Sequence, residues 1–245
     1  MTIAALKLPA PPRKRLHLPD PTFYPTDDHV GEDSLQTFIL ELLRPLVERW
    51  IALNKKPTFV GADQFIYYEQ FAPTKVVAPD LYVLPGIAPG RRIKSWKVWK
   101  TGIVPSFALE VVSSTDVDKD YHEVPTRYAE LGVDELIVFD PDHATTDDRV
   151  RWQRYRKLSR RGFVRVETTN ADRMRSRVLG CYLRVVGEGD DARLRLGTGV
   201  SGEELFPSEA ESERAAKESE RAAKESALVR IAELEAELAG KRRKR

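Results

Sequence analysis

Hydrophobic positions along the chain follow two periods. Leu35, Phe38, Ile39, Leu42, Leu43, Leu46, Val47 and Trp50 recur at i, i+3, i+4 and i+7, the one-face spacing of an amphipathic helix. Pro45 falls inside this stretch, where an interior proline costs on the order of 3 kcal/mol. The apolar stripe continues past it, so the pattern predicts one kinked helix rather than two elements. "DQFIYYEQF", "VVAPDLYVL" and "SFALEVVSS" read as strands. Residues 118–131 read as a helix with Tyr121, Val124, Tyr128 and Leu131 turned inward and Gly132 as its stop. Pro125 blurs the start of that helix. "ELIVFDP" is a short apolar run of the kind buried on both faces of a sheet. Strand, helix, strand in this order implies a right-handed crossover between two parallel strands. Downstream, "YLRVV" and "RLRL" alternate as half-buried strands around the turn "GEGDDA". They are expected to extend or flank the main sheet.

The pattern changes near residue 208. "SERAAKE" occurs twice in tandem, at 212–218 and 219–225, and the chain ends in "KRRKR". Glu213 to Lys217 and Glu220 to Lys224 stand at i, i+4, worth a few tenths of a kcal/mol per pair in a helix. Ile231, Leu234 and Leu238 give a short apolar seam, while the repeats offer mainly alanine. A solvated single helix and a weak coiled coil both fit, and a homodimer through this segment would be weak. The organisation expected is an irregular arm (1–21), one α/β domain (22–206) and a charged helical tail (207–245).

Composition narrows the function classes. The 245 residues are 41% hydrophobic, enough for one sizeable core plus an appendage. A single cysteine, Cys181, excludes a disulfide framework and a cysteine-rich zinc site. The four histidines are scattered, with no close ligand pair. No run reaches the roughly 18 apolar residues of a membrane span. The proline-rich start lacks a signal-peptide core, so a cytoplasmic location and no membrane partner are expected. The net charge is +2, but its distribution is uneven. Residues 110–148 hold 12 acids against Lys119 and Arg127, whereas residues 151–195 hold 13 bases against 5 acids. Such asymmetry suits an acidic metal pocket beside a phosphate-contacting surface, and it also suits solvated loops.

The candidate chemistry lies in the strands. In "FALEVV", Glu110 shares a face with Ala108 and Val112. A carboxylate there is costly to desolvate unless a cation, a proton or hydrogen bonds satisfy it. Asp80, in a second apolar run, would worsen that cost unless a divalent metal lay between the two. A salt bridge is the alternative for Glu110, and a turn end is the alternative for Asp80.

Taken in order, "YPTDDHVGEDS", "APDLYVL", "PSFALEVVSS", "RYAELGV", "ELIVFDP" and "VLGCYLRV…LRL…SGEELFP" resemble the Uma-type restriction endonucleases of the PD-(D/E)XK nuclease superfamily. The resemblance covers roughly residues 22–206. It implies a restriction-endonuclease-like α/β core, a mixed central sheet flanked by helices, which presents Asp80 and Glu110 to Mg²⁺, with Mn²⁺ as a substitute, for cleavage of DNA. It also implies an auxiliary role for Glu32, which a helix-dipole acid explains equally well, and for Asp120, which also reads as a helix-start acid. The chain departs from the family at the lysine. That residue should stand two positions after Glu110, or about four after Asp120, and valines occupy both places, Val112 and Val124. Lys119 is the nearest candidate for the third catalytic role.

Between the two acidic strands, "RRIKSWKVWK" carries five bases and two tryptophans. Arg91, Arg92, Lys94, Lys97 and Lys100 are candidate phosphate contacts, unless the segment is a solvated hairpin whose tryptophans pack on the sheet. Two other functions remain open: a degenerate nuclease fold that binds nucleic acid without cutting it, and an interaction protein acting through its tail helix.

Overall fold

The computed structural model describes residues 22–23, 34–53, 57–113, 117 and 119–242. The predicted N-terminal arm and Glu32 lie outside these residues. The chain divides into two compact units, Met1–Phe206 and Pro207–Arg245.

The first helix, α1 (Ser34–Leu53), runs unbroken through Pro45. Its apolar stripe buries Ile39, Leu40, Leu43, Leu46 and Val47. Pro45 lies on the exposed side. The strands that follow are β1 (Thr58–Gly61), β2 (Phe65–Tyr67), β3 (Val76–Val77), β4 (Leu81–Pro85) and β5 (Ser95–Lys97). Next come the single-turn helix α2 (Val98–Thr101) and strand β6 (Phe107–Val111). A π-helical turn (Lys119–Glu123) leads into α3 (Val124–Leu131), and then into β7 (Glu135–Phe139), β8 (Trp152–Leu158) and β9 (Gly162–Thr169). Strands β10 (Arg173–Arg175), β11 (Tyr182–Val186), β12 (Arg193–Thr198) and β13 (Glu204–Leu205) complete the first unit.

A mixed six-stranded sheet, in the order β1-β4-β6-β7-β8-β9, forms the centre. Its one parallel pair, β6 with β7, is joined by the π turn and α3. One face of this sheet supplies Leu81, Val83, Phe107, Leu109, Val111, Ile137 and Phe139 to a core shared with α1. The same core includes Met174, Leu183, Leu194 and Leu196 from a separate four-stranded antiparallel sheet, β10-β11-β12-β13. The other face packs Tyr82, Leu84, Ala108, Val112 and Val138 against Val124, Tyr128 and Leu131 of the α3 region. Strand alternation thus sends odd and even residues of β6 into two different cores.

Three predicted elements take a different form. "VVAPDLYVL" is divided at Ala78–Pro79, with β3 in a small β3-β2-β5 sheet and β4 in the central one. Proline supplies no ladder donor, and the chain changes sheets there. "RRIKSWKVWK" is neither a free loop nor a hairpin. It contains β5, paired parallel to β2, with Trp96 and Trp99 buried. The helix expected over 118–131 begins as a π turn, and α3 starts at Val124. Pro125 therefore sits in the first turn of α3, where a missing N–H is tolerated. Gly132 ends α3 with φ 87°, as the left-handed cap requires.

Buried charges fasten the sheet ends. Asp140, just past β7, is 1% exposed. It accepts two bonds from Arg149, at 2.7 and 2.6 Å, one from the Tyr121 hydroxyl at 2.6 Å and one from the Asp142 N–H at 2.9 Å. Glu135, at the start of β7, accepts from the Ser176 hydroxyl at 2.5 Å and from the Arg177 and Val178 amides at 3.0 and 3.2 Å. That cluster ties the central sheet to the β10–β11 connection.

In the second unit, α4 spans Glu209–Arg242, and its described side chains are exposed through Leu234 apart from Ser212. Ser208 caps its start, accepting from the Glu211 N–H at 3.2 Å while Glu211 accepts from the Ser208 N–H at 2.7 Å, a reciprocal cap of the capping-box kind.

Three stability outcomes follow from this burial pattern. Arg149→Ala leaves Asp140 buried without its cation and should cost about 3 kcal/mol, since breaking a buried pair from one side is strongly destabilising. Lys75→Ala removes a half-exposed pair with Glu130 and should cost under about 1 kcal/mol. Urea unfolding of the two variants checks the order. Because the apolar clusters lie upstream of Pro207, a chain ending at residue 207 should keep a single cooperative melt with an unchanged midpoint. A broad or lowered transition would show that the tail supports the core.

Candidate active site

The site is built by strand register. β4 and β6 pair antiparallel with Leu81 opposite Leu109, Tyr82 opposite Ala108 and Val83 opposite Phe107. Continuing the register by one residue sets Asp80 opposite Glu110, and opposed residues of an antiparallel pair stand about 4.5–5.5 Å apart at Cα. Asp80 is 5% exposed. Its Oδ2 accepts the Val111 N–H at 2.5 Å, and its Oδ1 accepts from Nε2 of Gln36 in α1 at 2.5 Å. Glu110 is half-buried. Its Oε1 accepts the hydroxyl of Tyr128 in α3. One acid is thus oriented from each helical layer.

Two further acids bear on the pair. Asp120, in the π turn, is buried, and its Oδ2 accepts the Ser113 N–H at 3.0 Å. Asp63 lies in a turn with φ 60°, a left-handed conformation that aspartate tolerates better than most residues. Its N–H donates to the Pro79 carbonyl at 2.9 Å, which ties this turn to the one preceding Asp80. Burial pushes the Asp80 carboxyl up to about 8, against the lowering pull of the Val111 N–H and the Gln36 amide, and the negative charges of Asp63 and Asp120 raise it further. Burial and the charges of Glu110, Asp80 and Asp120 hold the Tyr128 hydroxyl well above its usual range.

This is the electrostatics of a site short of positive charge. The donors around it are carboxylate oxygens, which suit a hard divalent ion such as Mg²⁺. Two hydrogen bonds leave lone pairs on Asp80 uncommitted. The donor chemistry of Asp80 and Glu110 suits such an ion, and the Asp120 charge reaches Asp80. Among the described residues, no group of three or more His, Cys, Asp and Glu side chains is itself arranged as a metal cage. Water and substrate would have to complete the coordination.

The other predicted residues fall in several places. Val112 and Val124 are both buried in the core beneath α3, so the family's two lysine positions are filled by packing. The backbone of Lys119 opens the π turn, and its side chain lies outside the described residues. β5 runs parallel to β2, with Phe65 opposite Ser95. Its preceding residues, Arg91, Arg92 and Lys94, therefore lie at the same end of the small sheet as the Asp63 turn. All three are exposed. Lys97 is half-buried within β5, and Lys100 is exposed in α2, beyond the strand's other end. Gln36 and Asp63 were not legible as site residues, since a polar residue on a helix stripe or in a turn has no signature of its own. Tyr128 was legible only as an inward-facing helix residue.

No curated protein matches the chain. A solved structure described as "a putative nuclease belonging to DUF820 from Anabaena variabilis ATCC 29413" aligns with a TM-score of 0.42 and 12% identity, covering 61% of this chain and 75% of that one. No helix among the described residues is long and apolar enough to cross a membrane. A family model described as "Putative restriction endonuclease", Uma2, matches residues 6–167, a span that contains both carboxylate strands, the π turn and α3, and the chain belongs to that family.

Proposed function

We propose that the protein is a divalent-metal-dependent endonuclease that hydrolyses DNA phosphodiester bonds. The observation that carries this reading is the β4–β6 register, whose continuation by one residue sets Asp80 opposite Glu110, with burial and the charges of Asp63 and Asp120 raising the Asp80 carboxyl. Asp80 and Glu110 would hold Mg²⁺ or Mn²⁺. Such an ion supplies charge neutralisation at the scissile phosphate and acidifies a water molecule. Gln36 fixes the rotation of the Asp80 carboxylate, and Tyr128 fixes that of Glu110. Arg91, Arg92 and Lys94 would bind the phosphate backbone beside the site. Lys97 and Lys100 are more remote candidates for the same contact. Lys119, next to Asp120, is the candidate, in its neutral form, to take a proton from the attacking water as the water oxygen bonds to phosphorus; the P–O bond to the leaving oxygen breaks, and that oxygen takes up a proton from solvent water.

A binding-only protein on a nuclease scaffold is the second reading, and the valines at positions 112 and 124 are the observation that favours it.

Glu110→Gln keeps the shape but removes the charge. It should abolish Mg²⁺-dependent nicking of plasmid DNA and leave DNA affinity within about twofold, since phosphate contacts lie elsewhere. Lys119→Ala should lower the cleavage rate by roughly 10²–10⁴, the usual worth of a proton-transfer group. An unchanged rate would remove Lys119 from the mechanism. Unaltered protein that binds DNA but is inert with both Mg²⁺ and Mn²⁺ would establish the binding-only reading.

The Asp80 shift gives a signed pH test. Its folded pKa of about 8 lies above the ordinary 3.8, so between these values the folded chain keeps a proton that the unfolded chain has lost. This contribution is fully present below about pH 4 and disappears as pH rises through about 8. Metal-free protein should lose thermal stability over this window, and Asp80→Asn should not show that component. Mg²⁺ should raise Tm more above pH 8 than at pH 5, because metal binding needs the ionised acid. A Tm–pH profile identical in Asp80→Asn would contradict the assignment.

A further inference from the structure

The four-stranded sheet carries charge that the candidate site does not use. Its inner face, with Met174, Leu183, Leu194 and Leu196, is buried in the α1 core. Alternation puts Arg173 and Arg175 of β10, Tyr182 and Arg184 of β11, and Arg193 and Arg195 of β12 on the opposite face. Register then aligns three of them, because Arg173 pairs with Arg184 and Arg184 pairs with Arg195. Neighbouring strands lie about 4.8 Å apart, so three guanidinium stems stand abreast. Like charges directly opposite each other destabilise a sheet unless counter-charges offset them.

The guanidiniums are held rather than loose. Asp172 bonds both Arg173, at 2.8 Å, and Arg184, at 3.4 Å, and the Glu203 carboxylate also bears on Arg173, two carboxylates against the three arginines of the row. Backbone carbonyls take other donors: Ser201 from Arg173 at 2.9 Å, Glu203 from Arg184 at 2.6 Å and Phe206 from Arg195 at 3.1 Å. Carbonyl acceptors fix a guanidinium without cancelling its charge. Arg175 lies over the Tyr182 ring at 5.7 Å. The Arg193 guanidinium instead reaches the Phe38 ring of α1, at 5.2 Å.

We propose that the outer face of the β10–β13 sheet, centred on the Arg173–Arg184–Arg195 row and flanked by Arg175, is a docking surface for the DNA phosphate backbone. The identity of the polyanion rests on the nuclease reading; the surface itself does not. Arginine suits the task because its planar fork engages phosphate in two bonds, and pre-fixed side chains lose less freedom on binding.

The test is the salt dependence of affinity for a short fluorescent DNA duplex, measured without divalent metal. Arg175→Gln/Arg184→Gln/Arg195→Gln in the full chain should weaken binding at least tenfold at low salt. It should also reduce the slope of log K against log salt by about 2 to 3, near 0.9 per lost phosphate contact. The matching triple lysine variant should recover most of the slope. If the triple glutamine variant fails to fold, exposed Arg175→Gln alone should still reduce the slope by about 1. Folded variants with unchanged affinity and slope would overturn the proposal and leave these arginines as clamps on the 199–203 turn. Unaltered protein that binds anionic vesicles but not the duplex would overturn it equally. A chain that binds DNA through this face but never cleaves it keeps the surface and removes the hydrolytic reading. A chain that cleaves DNA while the triple variant binds normally does the reverse.

Discussion

The pairing of β4 with β6 is the constraint from which the site follows. β6 is the hinge of the central sheet, antiparallel to β4 on one side and parallel to β7 on the other. The parallel side needs a crossover, and α3 is the helix of that crossover. The antiparallel side brings the start of β4 to the end of β6. Together these two neighbours set Asp80, Glu110 and Tyr128 at one end of the sheet. A slip of one residue in the β4–β6 register would turn every β4 side chain to the other face. It would put Asp80 in the α1 core and break both apolar clusters. Packing of the two cores therefore fixes where the two carboxylates stand.

Charge is handled differently at the two ends of β7. Glu135 and Asp140 are both nearly inaccessible, yet each is fully engaged, by a hydroxyl and two amides in one case and by an arginine fork, a hydroxyl and an amide in the other. Asp80 is buried to a similar degree with two donors and other acids nearby. Burial pushes the Asp80 carboxyl up to about 8. A structural acid has its partners within the fold, whereas an acid left wanting a cation is a functional candidate. Tyr121 links the two situations. Its hydroxyl binds Asp140 while its neighbour Asp120 faces the site, so the Asp140–Arg149 pair also holds the π turn in place.

Much of this arrangement was legible in the sequence for plain reasons. Helical spacing marked α1, Gly132 marked the end of α3, and the apolar run 135–139 marked a strand buried on both faces. Glu110 stood out because apolar neighbours flank it on a strand. What remained hidden depends on long-range register. Nothing local says that Pro79 separates two sheets, that "SWK" adds a parallel strand to β2, or that Gln36 will reach Asp80 across 44 positions. The arginine row is a similar case. Its members are spread over 173–195, and the charge excess of that region was visible, but only strand pairing brings Arg173, Arg184 and Arg195 abreast.

The missing lysine has a packing explanation. Position 112 follows Glu110 on the same face of the sheet, and position 124 begins α3 directly above that face. Val112 and Val124 fall in one apolar cluster with Ala108, Tyr128 and Val138. A lysine at either place would have to carry its ammonium out of that cluster to the sheet end, or lose its charge to desolvation. With valine at both, the cluster closes, and Tyr128 is held by packing with its hydroxyl on Glu110. The strand thus contributes its acids and no base. Any proton carrier must enter from outside the cluster, and the π turn, which already delivers Asp120, is the backbone segment that leads there. A wider π turn in place of α-helix shifts the backbone's side-chain directions at the crossover's start. The chemistry open to this chain therefore depends on how the π turn is held as much as on the strands beneath it.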